Sequence, residues 1–233
     1  MRYVVLDTET TGLSPADGHR IIEIAAIEVV NRSVTNNTYQ AYINPKRLVE
    51  PEAYDVHGIS DEFLSDKPVF EEIVEEFMSF VSGSEVIIHN APFDVGFLDM
   101  ELARLKRPAF GESVNGIIDT LTMARRLHPG KRNRLDDLCD RYAIDKTART
   151  LHGALIDTQL LAEVYLAMTR GQNSLLDTES TKKVSGLSKA EGSSDFLSVP
   201  VTLADEDELA AHNQYIESLE SIEGVKSIWS KVD

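Results

Sequence analysis

Two carboxylates stand at the end of an apolar run near the amino terminus. The segment from Tyr3 to Leu6 is a predicted buried strand, and Asp7 and Glu9 follow it directly. Because side chains two apart on a strand point to the same face, both acids are expected to project together. Neighbouring carboxylates repel and burial adds to that cost, so a bound divalent cation would relieve them. A solvated strand end with two unrelated acids is the alternative.

Two more acids and a histidine have positions that could join this pair. Asp94 lies in the first turn of a helix predicted from about 93 to 105, where the helix N-terminus favours a carboxylate and capping alone could account for it. Asp157 lies on the apolar side of the last helix of this region, and His152 precedes it by five residues. If His152 belongs to the loop that ends at Gly153, it can lean over whatever Asp157 binds. A lone histidine is otherwise more often a structural residue.

Together, the four acids and the histidine fit the chemistry of a two-metal hydrolytic site. Mg²⁺ and Mn²⁺ prefer the oxygen ligands that Asp and Glu supply. Two such ions roughly 3.5–4 Å apart can stabilise both the attacking and the leaving oxygen when a phosphodiester is cleaved. Histidine, with a pKa of about 6.5, is suited to take a proton from the attacking water.

The predicted elements form an α/β domain. Residues 20–30 and 38–43 are predicted strands joined by a polar turn at 31–33, and Pro68 opens a helix with one apolar stripe. A short strand is predicted at Glu85–Ile88. Further helices are predicted at 120–127, at 135–142, and from 152 or 153 to 168. Because strands come first and then alternate with helices, a layered α/β fold is expected.

Composition and charge limit the classes of function. The chain has 233 residues, 42% of them hydrophobic and 27% charged, which suits a soluble globular domain with an appendage. Its net charge of −16 repels phosphates and argues against tight, independent binding of nucleic acid, although metal ions or a partner could hold it there. No apolar run reaches membrane-spanning length, and the early acids argue against a signal peptide, so a cytoplasmic protein is predicted. The single cysteine, Cys139, is predicted to be a buried structural thiol.

One basic cluster interrupts this acidity. Five cations surround the sequence His128-Pro129-Gly130, namely Arg125, Arg126, Lys131, Arg132 and Arg134. They could contact phosphates or form a solvated basic turn, and the sequence does not decide between the two.

Three motifs resemble those of the DEDD exonucleases that use a histidine base. They are Asp-Thr-Glu-Thr-Thr-Gly-Leu at 7–13, His-Asn-Ala-Pro-Phe-Asp at 89–94 and His-Gly-Ala-Leu-Ile-Asp at 152–157, in the order and spacing of that family. The resemblance covers roughly residues 1–170. It implies a ribonuclease H-like fold, with a mixed sheet flanked by helices, and 3′→5′ removal of single nucleotides.

The resemblance also implies roles for the acids and the histidine. It makes Asp7 a ligand of both of two divalent ions, Mg²⁺ or Mn²⁺, while Glu9 and Asp157 complete the site that holds the nucleophilic water. Asp94 would serve the second ion, partly through water. His152 would be the general base.

Four further residues would meet the terminal nucleotide in this resemblance. Thr10 and neighbouring backbone amides would bind the 3′-hydroxyl, and Leu13 would wedge against the last base. His57 and Phe93 would flank the nucleotide. For Leu13 and Phe93 the alternative is an ordinary place in the hydrophobic core.

Within that family, the chain resembles the proofreading exonucleases of bacterial replicative DNA polymerases, which act on the 3′ end of DNA. We therefore predict a catalytic domain at 1–170, a clamp-binding-like segment and flexible linker at 171–200, and a segment at 201–233 that docks on the polymerase subunit. The pentapeptide from Gln172 to Leu176 is similar to a sliding-clamp-binding motif, although it ends in Leu instead of an aromatic residue.

Two other functions stay open at this point. A ribonuclease that trims small RNAs would use the same chemistry, because the residues do not reveal how the site treats a 2′-hydroxyl. The tail argues against it, since a free-standing RNA trimmer has no evident need for one. A non-catalytic adaptor that bridges clamp and polymerase is the second alternative, and the presence of all five catalytic residue types argues against it.

Overall fold

The computed structural model describes residues 2–147, 153–170 and 206–220, which fall into two compact units. The first two of these ranges belong to the first unit. Its strands are β1 (Arg2–Thr10), β2 (Ile21–Val30), β3 (Ser33–Tyr42), β4 (Glu85–Ile88) and β5 (Gly116–Asp119). Its helices are α1 (Pro51–His57), α2 (Asp61–Leu64), α3 (Phe70–Val81), α4 (Ala91–Arg104), α5 (Thr120–Leu127), α6 (Leu135–Tyr142) and α7 (Ala154–Met168).

The strands form one mixed sheet in the order β3-β2-β1-β4-β5. The pairs β1–β2 and β2–β3 are antiparallel, whereas β1–β4 and β4–β5 are parallel. Strand β1 is therefore central and hydrogen-bonded on both edges. Helices cover both faces of the sheet, so the predicted ribonuclease H-like α/β fold is confirmed.

Strand β1 sends alternate side chains into two different core layers. On one face Leu6 packs in a cluster with Phe77 of α3 and Leu98 of α4. On the other face Val5 packs in a cluster with Leu161 of α7. Because side chains alternate along a strand, the residues after Val5 at positions 7 and 9 continue on the α7 face.

Helix α7 is apolar nearly all round because it packs between the sheet and two other helices. Leu161 and Tyr165 face the sheet cluster, whereas Val164 packs with Leu138 and Cys139 of α6. Cys139 is fully buried, which confirms its predicted place in the core. The helix that carries Asp157 is thus fixed on two sides.

Several predicted boundaries differ from the structure. Strand β3 begins at Ser33 instead of 38, after a two-residue turn in which Asn31 and Arg32 have φ values of 51° and 63°. It is an edge strand whose first residues are mostly exposed and polar, so the sequence carries no apolar alternation there. Strand β1 continues through the acids to Thr10, and α4 begins at Ala91. Helices α1 and α2 and strand β5 were not predicted.

The described part of the second unit is one helix, α8 (Glu206–Glu220). Leu209, in its first half, is 50% exposed, while Ile216 is half-buried. This helix lies inside the predicted docking segment, and the rest of that segment is outside the described residues. No helix in the described parts of the chain is long and apolar enough to cross a membrane.

Candidate active site

Three carboxylates that are far apart in the sequence lie close together beside β1. Asp7 and Glu9 point from β1 toward α7, and Asp157 lies in the first turn of that helix. Oxygen atoms of the three side chains all lie within 4.8 Å of one another. Asp157 is buried, whereas Asp7 and Glu9 are half-buried. The predicted pairing of the acids at 7 and 9 with the distant acid at 157 is therefore present.

Asp94 approaches the same strand end from α4. Its Oδ1 atom accepts hydrogen bonds from the backbone N–H of Thr8, at 3.1 Å, and from the Thr8 hydroxyl, at 2.7 Å. Asp94 is only 3% exposed. The carboxylate is thus tied to β1, and helix capping alone does not account for its position.

Burial and nearby negative charge raise the pKa values of two of these acids, Asp7 and Asp94. The pKa of Asp7 is well above its usual 3.8, first because of burial and then because of the negative charges of Asp94, Glu9 and Asp157. Burial raises the pKa of Asp94 to about 7, against the two hydrogen bonds from Thr8, which favour the ionised form. Without a cation, Asp7 and Asp94 are therefore protonated more readily than exposed carboxyl groups.

The donor set fits a hard divalent cation. All the grouped donors are carboxylate oxygens, which Mg²⁺ and Mn²⁺ prefer over softer ligands. Asp7, Glu9 and Asp157 are close enough to share one ion. A cation would replace protons and offset the repulsion that raises the pKa of Asp7.

A cleft of about 730 Å³ opens on the Glu9 side of the cluster. We call it the apolar cleft; it is lined by Thr8, Glu9, Thr10, Gly12, Leu13, Glu50, Pro51, Glu52, Ala53, Val56, His57 and Phe93. All four residues predicted to meet a terminal nucleotide are among them. Their convergence depends on α1, which brings His57 next to the end of β1.

A second cleft of about 530 Å³ opens on the Asp7 side. We call it the basic cleft; it is lined by Asp7, His89, Asn90, Leu121, Arg125, Arg134, Leu135, Asp136 and Asp157. Two of the five cations of the predicted basic cluster therefore face the carboxylates. Arg126, Lys131 and Arg132 are exposed and do not line this cleft.

Comparisons with known proteins identify the family. The exonuclease family RNase_T matches residues 4–165. DNA polymerase III subunit epsilon of Salmonella typhimurium is 47% identical over 236 residues, which cover 98% of this chain and 97% of that protein. The chain belongs to this exonuclease family. The predicted resemblance to the exonucleases of bacterial replicative DNA polymerases is confirmed.

Solved structures of exonucleases share the fold. Exonuclease X in complex with 5′ overhanging duplex DNA is 28% identical with a TM-score of 0.56, covering 72% of this chain and 91% of that one. The nuclease domain of 3′hExo, a DEDDh family member bound to rAMP, has a TM-score of 0.63 at 16% identity, over 72% of this chain and 92% of that one. The predicted enzyme class, a 3′→5′ exonuclease, is confirmed by the family.

The alternative place for Leu13 in the core is wrong, because its side chain is 84% exposed at the mouth of the apolar cleft. Phe93 is half-buried, and it belongs both to the hydrophobic core and to the lining of the cleft. Its ring lies 5.0 Å from that of Phe97 in the core and also lines the cleft. Exposed apolar side chains beside a carboxylate cluster are a suitable surface for a nucleoside base.

Thr10 and His57 are held by local hydrogen bonds in the apolar cleft. The Thr10 hydroxyl donates to the Gly12 carbonyl at 2.7 Å. The backbone N–H of Ile59 donates to His57 Nδ1 at 3.0 Å, so a neutral His57 ring carries its proton on Nε2. Hydrogen bonds within the chain therefore fix the orientations of both side chains.

A buried histidine that the sequence analysis missed fixes the loop that carries Leu13. His19 Nδ1 lies 3.1 Å from the Thr11 hydroxyl, and His19 Nε2 lies 3.1 Å from Glu50 Oε1. A Cβ atom on Gly12 would lie 2.4 Å from His19 Cε1, so only glycine fits there. The loop between β1 and β2 is thus joined to the start of α1.

A second missed residue, Glu23, lies directly opposite Glu9 in the β1–β2 ladder and is 1% exposed. Its Oε2 atom accepts from the backbone N–H of Ala154, the first residue of α7, at 3.2 Å. Its Oε1 atom accepts from Gln40 Nε2 at 2.7 Å. An acid inside the apolar stretch 21–30 was the available signal, because it shares a sheet face with Glu9.

The predicted base, His152, lies outside the described residues, as does the pentapeptide from Gln172 to Leu176. The described chain resumes at Gly153, which is the N-cap of α7 in an extended conformation. Helix α7 therefore begins two residues after the position predicted for the base.

Proposed function

We propose that this chain removes mononucleotides from the 3′ end of DNA and proofreads for DNA polymerase III. The observation that carries the proposal is the convergence of Asp7, Glu9 and Asp157 within 4.8 Å, beside a cleft suited to one unpaired nucleotide. The similarity to epsilon subunits over nearly the whole chain supports the same assignment. Proofreading selectivity would arise because a mispaired 3′ end separates from its template more readily than a paired one.

The carboxylates would hold two divalent ions, Mg²⁺ or Mn²⁺. Asp7 would contact both ions, Glu9 and Asp157 would complete the first site, and Asp94 would serve the second, partly through water. When bound, such ions polarise the phosphodiester and stabilise the charge that develops on its oxygens. Thr8 keeps Asp94 Oδ1 oriented through its two hydrogen bonds, so the chain sets the position of this ligand before any ion arrives.

The remaining residues would bind and orient the substrate. Leu13 would wedge against the last base, with His57 and Phe93 on the flanks of the nucleotide. Thr10 and nearby backbone amides would meet the 3′-hydroxyl. His152, immediately before the N-cap of α7, would accept the proton of the attacking water.

The C-terminal extension would connect the nuclease to the replicase. We propose a catalytic domain at 1–170, a linker at 171–200, and a segment at 201–233 that docks on the polymerase III alpha subunit. The pentapeptide from Gln172 to Leu176 would contact the sliding clamp. Tethering raises effective concentration, so a chain of net charge −16 need not bind DNA tightly by itself. The cytoplasm, where chromosomal DNA is copied, is the proposed location.

Degradation of single-stranded DNA labelled at its 5′ end tests the nuclease assignment. With Mg²⁺, the wild-type chain should shorten the strand one nucleotide at a time from the 3′ end. The Asp7→Ala variant should lose more than about 100-fold of this activity, which is the upper range for residues that only support metal ligands. Unchanged cleavage by the variant would exclude the assigned site. Matched RNA and DNA oligomers distinguish a proofreading nuclease from an RNA-trimming one.

A deletion tests the docking role. Removal of 201–233 should abolish co-purification with the polymerase III alpha subunit while single-stranded DNA is still degraded. A deletion of 177–200 that keeps both ends is the matched control and should retain binding. Polymerase binding that survives the first deletion would contradict the docking role.

A further inference from the structure

The basic cleft combines two kinds of side chain that do not ordinarily share a ligand. Its charged lining consists of the acids Asp7, Asp136 and Asp157 and of two arginines, Arg125 in α5 and Arg134 at the start of α6. Both arginines are exposed. In a chain of net charge −16, two cations beside the acidic cluster require an explanation.

The two guanidinium groups take no part in the hydrogen bonds and ion pairs of the described residues. Within residues 2–147 and 153–170, neither forms a hydrogen bond or an ion pair. Nearby cations do: Arg141 donates to Asn133 Oδ1 at 3.0 Å, and Lys146 pairs with Asp140 at 2.8 Å. Arg125 and Arg134 therefore remain available for a ligand.

The two clefts meet on either side of the same carboxylate cluster. Glu9 lines the apolar cleft, and Asp7, two residues earlier on β1, lines the basic cleft. The apolar cleft offers Leu13 and Phe93, which suit a nucleoside. If the terminal nucleotide lies there and its phosphodiester lies at the cluster, the rest of the strand continues into the basic cleft.

Phosphate is the ligand chemistry that the arginines favour. A guanidinium group presents a planar set of donors that matches two phosphate oxygens. Proteins that bind single strands without sequence preference use cations along the backbone in this way. The arginines also supply positive charge where the acids alone would repel the substrate.

We propose that the basic cleft binds the phosphodiester backbone of the nucleotides on the 5′ side of the cleaved bond, with Arg125 and Arg134 as phosphate ligands. This inference rests on the proposed function, because the direction of the strand is defined by the 3′-terminal nucleotide that is removed. Of the five cations in the basic cluster, Arg125 and Arg134 would bind phosphate. The other three, Arg126, Lys131 and Arg132, face solvent.

The test compares two substrates on the full-length chain. A single-stranded oligothymidylate occupies both clefts, whereas the p-nitrophenyl ester of thymidine 5′-monophosphate has no nucleotides on the 5′ side. For Arg125→Gln/Arg134→Gln, the ratio of kcat/KM for the oligonucleotide to that for the ester should fall about tenfold. The slope of log kcat/KM for the oligonucleotide against log salt should become shallower by about 0.7 per arginine.

Arg126→Gln is the matched control, because it removes the same charge from the same helix outside the cleft. Its ratio should stay near that of the wild type. An equal fall in Arg126→Gln would assign the effect to net charge and overturn the inference, as would an unchanged ratio in the double variant. Equal losses on both substrates would also overturn it, since the arginines would then act at the reaction centre.

Binding measurements separate this inference from the proposed function. Fluorescence anisotropy of a labelled oligothymidylate with Ca²⁺ requires no turnover. If the wild type binds the strand but cleaves neither substrate, the proposed function fails while the role of the arginines is still measured. The double variant should then bind about tenfold more weakly, and equally so for oligothymidylate and oligodeoxycytidylate, because backbone contacts carry no sequence information. Wild-type affinity in the double variant would refute the basic cleft as a strand site.

Discussion

Replacing Asp94 by Asn should stabilise the metal-free protein while removing its activity. The pKa of Asp94 rises from 3.8 to about 7 on folding, first because of burial. One pKa unit corresponds to about 1.4 kcal/mol, so keeping this carboxylate ionised in the folded state costs about 4 kcal/mol at alkaline pH. Asn avoids the charge, and its Oδ1 atom can still accept the two hydrogen bonds from Thr8.

The pH dependence has a defined sign. Because the folded-state pKa of Asp94 is raised, its contribution to stability is fully present below about pH 4 and is lost as pH rises through about 7. The stability advantage of Asp94→Asn over the wild type in EDTA should therefore grow by about 2–3 kcal/mol between pH 5 and pH 8. With Mg²⁺ the difference in free energy of unfolding between variant and wild type should become smaller or change sign. Ion binding stabilises the wild type more than the variant.

Urea denaturation in EDTA and in Mg²⁺, at pH 5 and pH 8, measures both effects. Asp99→Asn is the matched control on the same helix. Asp99 accepts from the Phe110 backbone at 2.7 Å, which Asn can also do, and it lies outside the carboxylate cluster. A metal-free Asp94→Asn variant that is no more stable than the wild type at pH 8 would refute the argument from burial.

Three further substitutions test the supports of the site. Gly12→Ala should destabilise by about 1–3 kcal/mol and raise KM, because the new methyl group must displace the His19 ring, and thermal unfolding with steady-state kinetics checks both. Glu23→Ala should cost about 1–3 kcal/mol in urea unfolding, since it leaves the Ala154 N–H without its acceptor, whereas Glu23→Gln should cost less. Burial raises the pKa of Asp119, but several hydrogen bonds outweigh it and hold the pKa below its usual value. Asp119→Ala should therefore lower the free energy of unfolding by about 1–2 kcal/mol near neutral pH. The loss should become smaller at lower pH, where Asp119 of the wild type is protonated. Equal losses at pH 3 and pH 7 would contradict the last of these.

The central strand, the long amphipathic helices and the acids were predictable because their signals are local. An apolar run followed by Asp7 and Glu9 needs no knowledge of the rest of the chain. Asp157 was grouped with them from its residue type and from the resemblance of the motifs, since spacing does not reveal that α7 lies against β1.

The missed elements are short or lack an apolar pattern. Helix α1 has only seven residues and its start and stop signals, Pro51 and Gly58, were present without an apolar stripe. Strand β5 has four half-buried residues. His19 and Glu23 contact residues distant in sequence, Glu50 and Ala154, so the only local signal was the acid inside the apolar stretch 21–30.

The distance along the chain between Asp7 and Asp157 has a consequence during synthesis. The amino-terminal acids leave the ribosome long before α7 does, and they cannot form the three-carboxylate group until that last helix has docked. An unfinished chain therefore carries no assembled ion site. Cleavage of DNA that depends on this site must therefore wait until synthesis has passed α7.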